Sequence, residues 1–112
     1  MTLALELQPI AEALRLWASN EPDLQRVWIY GSQVRGHPSP ESDLDIAVEV
    51  IPKGDESIYD VFACSADDWR SELTPRLAPH KLDLKLYDAS GAREKVRRGV
   101  EEHGVLVYER AT

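Results

Sequence analysis

Two stretches of the chain alternate apolar and polar residues with a period of two, the signature of a half-buried strand. In Ser42–Val50, Leu44, Ile46, Val48 and Val50 fall on one face and Asp43, Asp45, Ala47 and Glu49 on the other. In Lys81–Tyr87, three leucines oppose Lys81, Asp83, Lys85 and Tyr87. A further strand is predicted over Arg26–Tyr30, where β-branched and aromatic residues crowd together. Elsewhere the period lengthens. Ile10, Leu14 and Trp17 recur at helical spacing after Pro9, which suits a first helical turn, and Trp17 is expected in the core. Pro52 to Asp60 reads as a loop. Trp69, Leu73 and Leu77 form a stripe on a helix predicted over 65–77, which Pro75 should kink or interrupt. Ala92, Val96 and Val100 mark another helix, with Gly104 as its expected C-cap, and a last strand follows to Tyr108. The order α, β, β, α, β, α, β predicts a small α/β domain of the α+β type, its sheet mixed and of about four strands.

The junction after the first predicted strand carries the first chemistry. Gly31 lets the backbone turn sharply and approach a bound group without a Cβ in the way. Ser32 adds a hydroxyl, and a short helical turn through Gln33, Val34 and Arg35 would aim backbone N–H groups at an anion. Arg35 supplies a guanidinium suited to phosphate oxygens.

The second chemistry is acidic. Asp43 and Asp45 stand at i and i+2 of one strand, so they point the same way, roughly 6–7 Å apart. Carboxylates at that spacing suit hard divalent cations, which keep sites open for substrate phosphates. Left unneutralised, like charges side by side on a strand repel. Asp83 joins them if its strand lies beside theirs, and Asp88, just past that strand's end, is the fallback third carboxylate. The pattern Gly-Ser, ten residues, Asp-x-Asp arises by accident in about one chain per thousand of this length.

Gly31-Ser32, ten residues, then Asp43-Leu44-Asp45, with Arg35-Gly36 inside the spacer and Ile46-Ala47-Val48 following, resembles the minimal nucleotidyltransferases of the DNA polymerase beta-like superfamily. The likeness runs through nearly the whole chain, from the N-terminal helix to the closing helix and strand over Val96–Tyr108. It implies a nucleotidyltransferase fold in which Asp43, Asp45 and Asp83 ligate a pair of Mg²⁺ ions. Asp83 would also help deprotonate the acceptor hydroxyl, and Gly31 and Ser32 would hold a nucleoside triphosphate such as ATP. Arg35 and Lys85 are candidate extra phosphate contacts. Gln33-Val34 depart from the pattern, since many members carry Arg or Phe followed by Ala there.

Composition narrows the choice. The 112 residues suit a single domain, 1–112, with no room for a separate substrate module. A net charge of -7 argues against a general nucleic-acid binder, which normally shows a basic face. The basic run Arg93, Lys95, Arg97 and Arg98 reads as a solvated face or a surface for an acidic partner. Cys64 stands alone and is expected to be a small core residue, with zinc not expected. His37, His80 and His103 are scattered and are assigned no chemistry. No apolar run approaches the ~20 residues of a membrane span, and the start lacks the basic lead of a signal peptide, so a cytoplasmic protein is expected.

The resemblance also implies an acceptor. By this resemblance, stand-alone domains of this size often act as the antitoxin of a two-gene pair, transferring AMP from ATP to a tyrosine of a helical HEPN-type ribonuclease toxin. Nucleotidylation of a small hydroxylated molecule is the second enzyme reading, but relatives of that kind append a helical acceptor domain, and this chain ends after its last predicted strand. The rival from another class is a non-catalytic module that neutralises its partner by contact alone.

Overall fold

A computed structural model describes residues 5–35, 43–91 and 93–111, leaving out the side chains of Ser32 and Arg35. Within it the alternating stretches become β1 (Leu24–Tyr30), β2 (Asp43–Val50), β3 (Lys81–Leu86) and β4 (Val105–Glu109), joined in one sheet of order β3-β2-β1-β4. The sheet is mixed, as the pattern predicts. β1 pairs antiparallel with β2 and β4, whereas β2 and β3 run parallel. A parallel neighbour needs a long crossover, and helix α3 (Ile58–Leu77) supplies it.

One sheet face carries the main core. Leu44, Ile46, Val48 and Val50 pack with Ile10, Leu14 and Trp17 of helix α1 (Gln8–Ser19) and with Trp69, Leu73 and Leu77 of α3. Trp17 meets Trp69 edge-on at 6.0 Å between ring centroids, so the expected core role of Trp17 holds. The other face, where alternation puts the acids, is only partly open to water. Helix α4 (Glu94–His103) lies across it and buries Val96 and Val100 against Tyr30 and Ala47. Gly99 makes that approach possible, because a Cβ there would stand 2.9 Å from the Tyr30 ring.

Three local expectations are corrected. α3 begins at Ile58 rather than at Ser65, inside the predicted loop, because Ser57 and Asp60 form a capping box whose two backbone–side-chain bonds are each 3.2 Å. The Ser-x-x-Asp signal was present in the sequence and outweighed by the polar composition around it. Pro75 does not interrupt α3: it stands in the last turn, where the helix is about to end and the buried Leu73 and Leu77 hold the backbone to the sheet. Cys64 is exposed, on the solvent side of α3, rather than in the core.

Gly104 does cap α4, but by a different route from the usual left-handed glycine. Its φ is -66°, and glycine is needed because a Cβ would meet the Val100 carbonyl oxygen at 2.6 Å. Ala92, the first member of the α4 stripe, lies outside the described residues. No helix among those described is long and apolar enough to cross a membrane.

Ser57→Ala removes the acceptor that starts α3 and should lower the unfolding free energy by about 1 kcal/mol. A urea titration followed by circular dichroism checks this, with an unchanged midpoint counting against the cap.

Candidate active site

The site is built where β1 stops. Gly31 follows Tyr30 with φ +83°, in the left-handed region that penalises a Cβ, and it is crowded as well: a Cβ there would lie 2.0 Å from Oδ2 of Asp45. Glycine is therefore required twice, by conformation and by a neighbouring carboxylate. The chain then makes a single helical turn, α2 (Ser32–Arg35), whose Val34 N–H donates to the Gly31 carbonyl at 3.2 Å. Gln33 is buried beneath this turn, and its Nε2 reaches the Asp43 carbonyl at 3.5 Å. Gln33 thus ties the glycine turn to the start of the acidic strand. The side chains of Ser32 and Arg35 lie outside the described set, as do His37 and the rest of the spacer.

Strand register assembles the acids. Asp45 pairs with Asp83 across the parallel β2–β3 ladder, and Asp43 pairs with Lys81. The adjacency that could not be read from sequence is present, so Asp83 shares the face of Asp43 and Asp45. Asp45 and Asp83 lie side by side on the same sheet face, and the Asp45 carboxyl is pushed up to about 6. Burial is the main cause, followed by the charge and hydrogen bond of Asp83 and then the charge of Asp43, with Lys85 opposing. The Lys85 ammonium sits 3.5 Å from Asp83. Tyr30, opposite Asp45 in the β1–β2 ladder, has its hydroxyl pushed up by burial and by the same two aspartates.

Asp88, the fallback acid, is committed elsewhere. It is buried and accepts hydrogen bonds from the Tyr59 hydroxyl and from both N and Oγ of Ser90, which hold its carboxyl below the usual range. It fastens the loop that leads into α4.

A cleft of about 570 Å³ opens beside Asp45. Tyr30, Gly31 and Asp45 form one wall, and α4 from Glu94 to His103 forms the other. His103, assigned no chemistry from sequence, lines it. So do Lys95 and Arg98, which divides the basic run by position: Arg97 turns away to Glu101 at 3.2 Å, and Arg93 lies 5.7 Å over the Tyr59 ring. The 95-99-103 spacing on one helical face was the available signal, but it identifies a wall only once α4 is known to cross the acid face.

The donor chemistry suits a hard divalent cation. Two carboxylates pressed together carry surplus negative charge that a proton or a cation must offset, and both are oxygen donors. Among the described residues, no three His, Cys, Asp or Glu side chains are already grouped as a ligand set. The pair Asp45 and Asp83 is what the strands preassemble, and Asp43 is exposed at the open end of β2.

Gly31→Ala should lower the unfolding free energy by about 2 kcal/mol through strain and displacement of Asp45. Adding Asp45→Ala should recover part of that loss by removing the clash, a non-additivity measurable in a double-mutant cycle. The raised Asp45 pKa carries its own sign. The fold penalises the ionised form, so this group's contribution falls as pH climbs from about 4 to about 6 and stays unfavourable above. With metal chelated, Asp45→Asn should stabilise the protein by about 1 kcal/mol near pH 7.5, after discounting for solvent screening, and by nothing near pH 4. Melting curves at the two pH values check this.

Comparison with known proteins agrees with this geometry. The family described as Polymerase beta, Nucleotidyltransferase matches residues 12–112. No curated protein matches the chain. Among solved structures, a toxin–antitoxin crystallised with AMP-PNP superposes with a TM-score of 0.55 at 24% identity, covering 95% of this chain and 75% of that one. A mutant of the MntA-HpeT toxin–antitoxin gives 0.53 at 22%, covering 90% and 71%. A Sulfolobus solfataricus protein assigned provisionally to the nucleotidyltransferases gives 0.52 at 24%, covering 93% and 80%. These likenesses speak to the fold. The family match spans the glycine turn, both acidic strands and the α4 wall, and by it this chain belongs to the polymerase beta nucleotidyltransferases.

Proposed function

We propose that this chain, acting as one domain in the cytoplasm, transfers AMP from ATP to a tyrosine hydroxyl of a HEPN-type ribonuclease toxin and serves as its antitoxin. The observation that carries the reading is the in-register pairing of Asp45 with Asp83 against Gly31, beside a nucleotide-sized cleft. Two of the similar solved structures are toxin–antitoxins, one of them with the ATP analogue AMP-PNP, which supports both partner and nucleotide.

Asp43, Asp45 and Asp83 would hold Mg²⁺. When bound, divalent ions neutralise the triphosphate, lower the pKa of the attacking hydroxyl and stabilise the departing pyrophosphate. The chain's own groups do the rest. Backbone N–H groups after Gly31, with Ser32 and Arg35, hold the β- and γ-phosphates, and the glycine turn sets their distance from Asp45. The acceptor oxygen forms a bond to the α-phosphorus as the bond to the bridging oxygen of pyrophosphate breaks. Asp83 receives the hydroxyl proton, with Lys85 beside it to steady the charge. Gln33 acts as a positioning residue, keeping the turn in register with Asp43.

Co-expression with the neighbouring toxin gene, followed by intact mass measurement of the toxin, tests this. The toxin should gain one or more AMP units with the wild-type chain and none with Asp43→Asn plus Asp45→Asn. Co-purification of an unmodified toxin in both cases would instead favour neutralisation by contact.

A further inference from the structure

The cations along the cleft differ in what already occupies them. Arg98 lies between two acids of its own helix, 4.0 Å from Glu94 and 3.6 Å from Glu102. Lys85, beside the acid pair and outside the cleft lining, is engaged by Asp83 at 3.5 Å. Lys95 faces the same cleft as Gly31 and Asp45 but makes no ion pair with any described residue. It is exposed and packs into no core cluster, so the fold gives it no task. In a chain of net charge -7, a lysine left unpaired over an acidic cleft stands out.

From this arrangement we infer that Lys95 is a polyphosphate contact, so that the nucleoside triphosphate is gripped between the Gly31 turn on one wall and α4 on the other. The inference rests on the nucleotidyltransferase reading above and extends it to a residue outside the motif. Three features support it. The cleft is continuous from Gly31 to Lys95, and its 570 Å³ falls within the range of small-molecule sites, about 300–1,000 Å³. A polyanion beside Asp45 and Asp83 needs positive charge from the facing wall, and Lys95 is the lysine there that no carboxylate holds. Its position in the first turn of α4 adds the positive end of a ten-residue helix. A flexible stem with three donors lets the ammonium follow phosphate oxygens rather than demand one geometry.

Calorimetric titration of the whole chain with ATP, AMP and adenosine, in Mg²⁺ buffer and again in EDTA, tests this. Lys95→Ala should weaken ATP roughly tenfold, AMP less, and adenosine not at all, while Lys95→Arg keeps most of the affinity. Arg76→Ala, an exposed cation in the last turn of α3 on the opposite face of the sheet, should bind ATP like the wild type and so control for net charge. The inference is overturned if Lys95→Ala binds ATP normally, if it loses all three ligands equally, or if Arg76→Ala loses as much. A wild-type chain that takes up no ATP overturns the nucleotidyltransferase reading as well, whereas normal ATP binding by Lys95→Ala overturns this contact alone.

Discussion

Asp45 and Asp83 face one another because β2 and β3 run parallel and in register, and the rest of the site is arranged around that like-charge contact. Burial first, and then the charge of the neighbouring Asp83, raise the free energy of the ionised form, which is why the Asp45 carboxyl is pushed up to about 6. The main core resists the repulsion. Leu44, Ile46 and Leu84, on the reverse side of the same strands, are buried under α1 and α3, so the backbone cannot shift to separate the acids without exposing them. Holding Asp45 ionised at this position is therefore unfavourable for the fold.

Glycine recurs where the backbone must come close to this strained region. Gly31 leaves room for the Asp45 carboxylate, and Gly99 lets α4 settle on the ring of Tyr30. The two approaches define opposite walls of one cleft. α4 consequently has two roles: Val96 and Val100 complete a small second core, while the adjoining face presents Lys95 and Arg98 to the cleft. The loop into α4 is fixed by Asp88, whose hydrogen bonds to Tyr59 and Ser90 link it to the first turn of α3. An acid that resembled a catalytic candidate in the sequence therefore acts as a fastening.

The match to the polymerase beta nucleotidyltransferases covers the glycine turn and both acidic strands, and within that span Gln33 has a structural task of its own. This chain buries an amide there that reaches the Asp43 carbonyl.

Much of this protein was legible in its sequence. Period-two alternation located β2 and β3 and put Asp43 and Asp45 on one face, because strand side chains alternate whatever surrounds them. The Gly-Ser turn and the two-residue spacing of the acids are local features, and local features survive in one dimension. The capping box at Ser57 was equally local and was simply outweighed by polar composition. What the sequence alone could not decide is every relation between segments distant in the chain. Asp83 joined Asp45 only through the parallel register of two strands 38 positions apart. Asp88 is engaged by Tyr59 of another helix as well as by the adjacent Ser90, and Lys95 and Arg98 became a cleft wall only when α4 crossed the acid face. Those outcomes depend on how the buried faces of α1, α3 and α4 pack against the sheet, a balance of contacts summed over the whole fold that no short window of residues encodes.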